Sequence, residues 1–80
     1  MKLIQHSPES DTWFTESGNH YIERGYDIDG LCTSFEVYGE GTANVHEEGS
    51  SFRISEYGSP EKAFQVAKNY LKNLLEELKP

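Results

Sequence analysis

Residues 51–70, SFRISEYGSPEKAFQVAKNY, decide how this chain is read. Phe52 and Ile54 alternate with Arg53 and Ser55, which predicts a last strand with two apolar residues facing inward. Tyr57-Gly58 breaks that pattern, and Ser59-Pro60-Glu61 opens a helix. Ser59 suits the N-cap, Pro60 the first helical position where an N–H would have no partner, and Glu61 the positive helix end. Downstream, Phe64, Ala67, Leu71, Leu74 and Leu78 recur every three or four residues, joined by Ala63, Tyr70 and Leu75, and form one broad apolar face. Lys62, Lys68, Lys72 and Lys79 lie off it. The helix is expected over about 60–79, long enough at roughly 30 Å to cross a small sheet.

Working upstream, residues 31–38, LCTSFEVY, alternate as a strand with Leu31, Thr33, Phe35 and Val37 on one face and Cys32, Ser34, Glu36 and Tyr38 on the other. Residues 20–28 form its hairpin partner across the turn signal Asp29-Gly30. Residues 1–12 carry a breaker at Ser7-Pro8 and no periodicity, and read as an N-terminal arm before a single domain spanning 13–80. The expected fold class is α+β, a three-stranded antiparallel sheet with one long C-terminal helix on one face. "TWFT" and residues 43–48 supply a fourth and fifth strand if they pair. The opposite sheet face is open to solvent and available for recognition.

Eighty residues support one small core. The opening segment is too short and polar for a leader, no apolar run reaches the length of a membrane span, and the lone Cys32 cannot form an internal disulfide. Cytoplasmic localisation is the expectation, in the host cytoplasm if the chain is phage-encoded. The formal charge of −7 is unevenly placed. Residues 1–58 hold eleven acids against Lys2, Arg24 and Arg53, while residues 59–80 hold three acids and four lysines. The acidity belongs to the strands.

Phe52 to Ser59, followed by Glu61, Ala63-Phe64 and Ala67, resembles the last strand and helix of the ethylene-response-factor type of DNA-binding domain, with its relatives in phage integrases and homing endonucleases. The resemblance implies a three-stranded sheet backed by one helix, with the sheet laid in the major groove and Arg and Trp on its exposed face. The matching positions here, by alternation, are Glu23, Asp27, Ser34, Glu36, Arg53 and Ser55, of which Arg53 alone keeps that character. In size, charge and architecture the chain also resembles small phage-encoded inhibitors, including anti-CRISPR proteins.

Catalytic and metal chemistry find little material. Asp27-Ile28-Asp29-Gly30 opens like a calcium loop, but the glycine comes at the fourth position and Tyr38 stands at the twelfth, so a hairpin turn explains it. His46-Glu47-Glu48 reads as a surface turn, and Gly39-Glu40-Gly41 lacks the third glycine and helix of a phosphate loop. His6 and His20 are isolated and expected to be exposed, and Cys32 lacks an activating partner. No enzyme, metal, cofactor, small-molecule substrate or membrane partner is expected. The expected function is a non-enzymatic, acidic binding protein that occupies a basic, nucleic-acid-binding site on a host protein or nucleoprotein complex, as a DNA mimic. Its partner-binding residues are Glu23, Asp27, Glu36, Tyr38, Glu40, Glu47 and Glu48. Tyr21, Tyr26, Tyr38 and Tyr57 divide between core packing and aromatic anchors among carboxylates. The alternatives are an integrase-type DNA-binding module and an antitoxin-like or scaffold interaction domain.

Duplex binding depends on neutralising several phosphates with Lys or Arg. A gel-shift titration of this chain at physiological salt is therefore expected to show no complex. A micromolar complex with steep salt dependence would favour the integrase-type reading.

Overall fold

The structure is a computed structural model that describes residues 1–42 and 50–79. Its strands are β1 (Leu3–Ile4), β2 (Thr12–Thr15), β3 (His20–Tyr26), β4 (Cys32–Gly39) and β5 (Ser51–Arg53), followed by a short helix α1 (Ile54–Tyr57) and the long helix α2 (Pro60–Leu78). The architecture is α+β. Among the described residues the sheet has five strands in the order β1-β2-β3-β4-β5, with every neighbour antiparallel. Three was the expected core of this sheet. "TWFT" pairs as β2, and Leu3–Ile4, within the segment read as an arm, pairs with β2 as well. The strand considered over 43–48 lies outside the described residues.

α2 begins as its cap chemistry requires: the Ser59 hydroxyl accepts from the Lys62 N–H at 3.2 Å, with Pro60 in the first turn. Its buried residues are Ala63, Ala67 and Leu71, which meet Ile22, Phe35, Val37 and Phe52 from the sheet. The alanines let the helix lie close over β4 and β5. Around this seam stand half-buried rings. Phe64 packs on Trp13 and Phe35 with ring centroids 4.7 and 5.3 Å apart, and Tyr70 packs on Phe52 at 5.5 Å. Tyr57 also packs against Phe52, from the core side of the sheet.

Four expectations need correction. The last strand stops at Arg53, and Ile54–Tyr57 makes one helical turn closed by the Gly58 N–H on the Ile54 carbonyl, so Ser55 is exposed on that turn and leaves the sheet face. The chain has to leave the sheet layer here to reach the helix layer. In β4 the alternation holds from Ser34 to Tyr38 but breaks before it. Gly25 faces Ser34 while Tyr26 faces Cys32, so Thr33 is the extra residue of a bulge. The bulge returns Cys32 to the core side and leaves Thr33 exposed. Leu31, expected inward, is exposed in the hairpin loop. His20, expected exposed, is buried, with Nε2 2.8 Å from the Glu40 carbonyl oxygen.

The segment leading into β2 is tied to β3. The Arg24 guanidinium donates to the Ser10 carbonyl at 2.8 Å and to Asp11 Oδ1 at 3.3 Å, and lies 4.6 Å over the Trp13 ring. The Tyr26 hydroxyl donates to the same Asp11 oxygen. An exposed ion pair contributes little alone. The stacking and the carbonyl bond are what hold the guanidinium in place.

Leu71 is fully buried at the centre of the helix–sheet seam. Leu71→Ala is expected to destabilise the fold by about 2–5 kcal/mol through lost burial and the cavity left behind. Urea unfolding monitored by circular dichroism measures this, and an unchanged midpoint would contradict the packing described.

Candidate functional site

The face of the sheet away from α2 is ordered in rows that cross the strands. Register places Ile4, Phe14, Tyr21 and Tyr38 in one row. The next row is Thr12, Glu23, Glu36 and Ser51, and the third is Gly25, Ser34 and Arg53. Each row follows from the two-residue period of the strands, which sends alternate side chains away from the helix.

The first row is a stack of rings. Phe14 lies 5.5 Å from Tyr21, and Tyr21 lies 5.0 Å from Tyr38 at an interplanar angle of 20°. His6 adds a ring 5.4 Å from Phe14. Tyr21 thus has a ring on either side. Such a row stabilises the sheet through cross-strand pairs and spends its π faces on its own members. It is poorly arranged as a platform for stacking nucleobases or sugars.

The second row carries the charge. Glu23 and Glu36 sit directly opposite each other on adjacent strands. Like charges so placed are destabilising. No cation among the described residues lies within ion-pair distance of either carboxylate; the ion pair found there is Arg24 with Asp11. Hydroxyls hold one oxygen of each: Tyr38 donates to Glu36 Oε2 at 2.8 Å and Thr12 to Glu23 Oε2 at 3.5 Å. Partial burial, then the bond to Glu36, then the negative charges of Glu36 and Glu23 push the Tyr38 phenol up to about 12.

Of the residues expected at the site, Glu23, Glu36 and Tyr38 come together on this face. Glu40 is exposed in the turn that follows β4, its carbonyl on the buried His20 ring, and is not placed among the rows of this face. Asp27 is not on the face. It closes the β3–β4 hairpin, its Oδ1 accepting from the Asp29 and Leu31 N–H groups at 2.9 Å each. Gly30, at φ +81°, takes the left-handed position of that turn, and Ile28 stands fully exposed at its tip. The carboxylate that looked like a calcium ligand is therefore engaged by its own backbone. Among the described residues no three His, Cys, Asp or Glu side chains converge on one point. Glu47 and Glu48 lie outside the described residues. No helix among the described residues is long and apolar enough to cross a membrane.

The third row holds Ser34 and Arg53, two of the positions that the resemblance puts on the reading face, but none of the expected partner-binding residues. Ser34 is 7% exposed, and its Oγ fills the space over Gly25, 2.2 Å from where a Cβ would stand. Glycine inside a strand marks a bulge or a close approach, and that signal was present in the "ERGYD" segment. Comparison of the chain with protein families, curated proteins and solved structures finds no match.

Tyr38 carries a pH consequence. Its folded-state pKa lies above the ordinary value of 10.0, so the neutral phenol is favoured by folding. The stability this contributes is complete below pH 10 and is lost as pH rises from there through about 12. Tyrosinate absorbance is expected to show Tyr38 titrating late in that window, beside Tyr26, which its bond to Asp11 also raises, and Glu36→Gln is expected to bring the Tyr38 component down.

Proposed function

We propose that this chain is a non-enzymatic binding protein whose open sheet face occupies a basic, nucleic-acid-binding site on a partner protein, its carboxylates standing where phosphates would. The observation that carries this reading is the facing pair Glu23 and Glu36, kept on the open face without a neutralising cation among the described residues. A fold does not retain such a repulsion for stability, whereas a surface that steers toward a basic groove gains encounter rate and specificity from it. The placement of the bases supports the same reading. Arg24 is tied to Ser10, Asp11 and Trp13, and Lys62, Lys68, Lys72 and Lys79 are carried by α2 and its C-cap, on the other side of the sheet. Arg53 is the one base of the described open-face rows.

A sheet that reads DNA in the manner of the ethylene-response-factor type would set cations in these rows. Carboxylates repel the phosphates that flank any base they could reach. A small inhibitor of the anti-CRISPR kind, acting in a host cytoplasm on a nucleic-acid-handling protein, fits the size and the charge division.

The test is capture from a host lysate on the immobilised chain at low and high salt, followed by nucleic-acid binding assays on each captured protein. Wild type is expected to displace nucleic acid from its target. Glu23→Lys/Glu36→Lys is expected to lose that activity while remaining folded, and Glu61→Lys/Glu76→Lys on the helix to keep it. Equal losses from the two reversals would reduce the acidity to a solubility feature.

A further inference from the structure

The β3–β4 hairpin ends in Tyr26, Asp27, Ile28, Asp29, Gly30 and Leu31, and its apolar side chains stand in water. Tyr26 is 49%, Leu31 65% and Ile28 101% exposed. Apolar residues exposed singly are ordinary on a protein surface, whereas a concentration of them at one place marks an interaction site. Ile28 adds no burial to the fold, and turns of this kind are held mostly by Gly, Asn, Asp and Ser. A polar residue would serve the fold equally well.

The tip is also bonded within itself. The Asp27 N–H donates to the Leu31 carbonyl at 2.9 Å and the Gly30 N–H to the Asp27 carbonyl at 3.0 Å, while Asp27 Oδ1 accepts from the Asp29 and Leu31 N–H groups. Tyr26 is fixed at its far end by the bond of its hydroxyl to Asp11. Side chains carried by an already ordered loop lose less freedom on binding, which favours affinity. Charge defines the surroundings of the anchor. Asp27 and Asp29 flank Ile28 in the chain, and neither forms an ion pair among the described residues.

We propose that this tip inserts Ile28 into an apolar pocket of a partner protein, with Lys or Arg at the pocket rim to meet Asp27 and Asp29. The proposal deepens the acidic-face reading and takes its partner from it. The tip joins the two strands that carry Glu23 and Glu36, with Glu23 roughly 13 Å along β3 from Asp27. One basic protein can thus be met by the tip and the face together. An apolar centre within a charged rim is common interface anatomy. A second copy of the chain fits less well, since it also carries −7 and two tips in contact would oppose both pairs of aspartates. The same aspartates disfavour an anionic lipid surface.

The experiment uses the full chain as wild type, Ile28→Ser and Ile28→Val, and as its probe the basic protein captured in the test above, once identified and purified. By calorimetric titration Ile28→Ser is expected to weaken binding roughly ten- to hundredfold, the scale of one buried aliphatic side chain, and Ile28→Val about fourfold, the scale of one methylene. The Ile28→Ser loss is expected to persist at high salt and to bring a less negative heat-capacity change of binding. Circular dichroism is expected to show Ile28→Ser folded; if it is not, Ile28→Thr against Ile28→Val carries the comparison. Affinity of Ile28→Ser within twofold of wild type would overturn the anchor. So would a wild-type dimer in analytical ultracentrifugation that Ile28→Ser dissolves, or binding to phosphatidylcholine vesicles that Ile28→Ser abolishes, since the tip would then belong to a second copy or to lipid. The two readings fail separately. Loss with Ile28→Ser but not with Glu23→Lys/Glu36→Lys keeps the anchor and removes the acidic face, and the reverse result removes the anchor alone. Capture of no protein overturns both.

Discussion

One helix has to cover the sheet, and the contact of Ala63, Ala67 and Leu71 with Ile22, Phe35, Val37 and Phe52 does so on one side. Everything else depends on that limit. A chain of 80 residues has apolar material for a single seam, so the second face of the sheet must be finished without a covering element. The row of Phe14, Tyr21 and Tyr38 does this by ring-on-ring packing along the strands. It covers part of the face and leaves the rows with Glu23, Glu36, Gly25 and Ser34 uncovered. The same constraint that makes the protein small thus determines which face of the sheet stays open.

Features set by neighbours in sequence were legible. The α2 helix could be read because cap, first-turn proline and apolar period all act within a few residues. The open face of β4 from Ser34 to Tyr38 could be read from alternation, and with it Glu36 and Tyr38. What depended on pairing was not legible. A bulge at Thr33 reverses the side of Cys32, and alternation in one strand carries no sign of it. His20 is buried because its ring meets the turn after β4, twenty residues away. Leu3–Ile4 is too short to show a period at all. Asp27 failed as a face residue because the hairpin turn claimed it. The close approach of the Ser34 hydroxyl to Gly25 needed the knowledge that the two residues face each other, which is a property of two strands together.

The charge of the chain is better understood as a division than as a sum. The helix keeps its lysines on the far side of the molecule, and Arg24 is consumed in pinning the segment before β2. The open face is left with opposed glutamates and Arg53. A total of −7 would describe an evenly solvated globule equally well. Position makes the two sides of the sheet unlike in charge, and such a division shapes the field around the molecule more than the sum does.

The stacking of Arg24 on Trp13 has a consequence for how this molecule can be observed. Trp13 is the single tryptophan of the chain, and its ring touches Arg24 of β3, Phe35 of β4 and Phe64 of α2. One indole therefore sits at the junction of the first paired segment, the central sheet and the helix. Its fluorescence is a built-in gauge of whether those three parts are assembled, and a cation held over the ring makes that emission sensitive to release of the N-terminal segment while the helix remains docked.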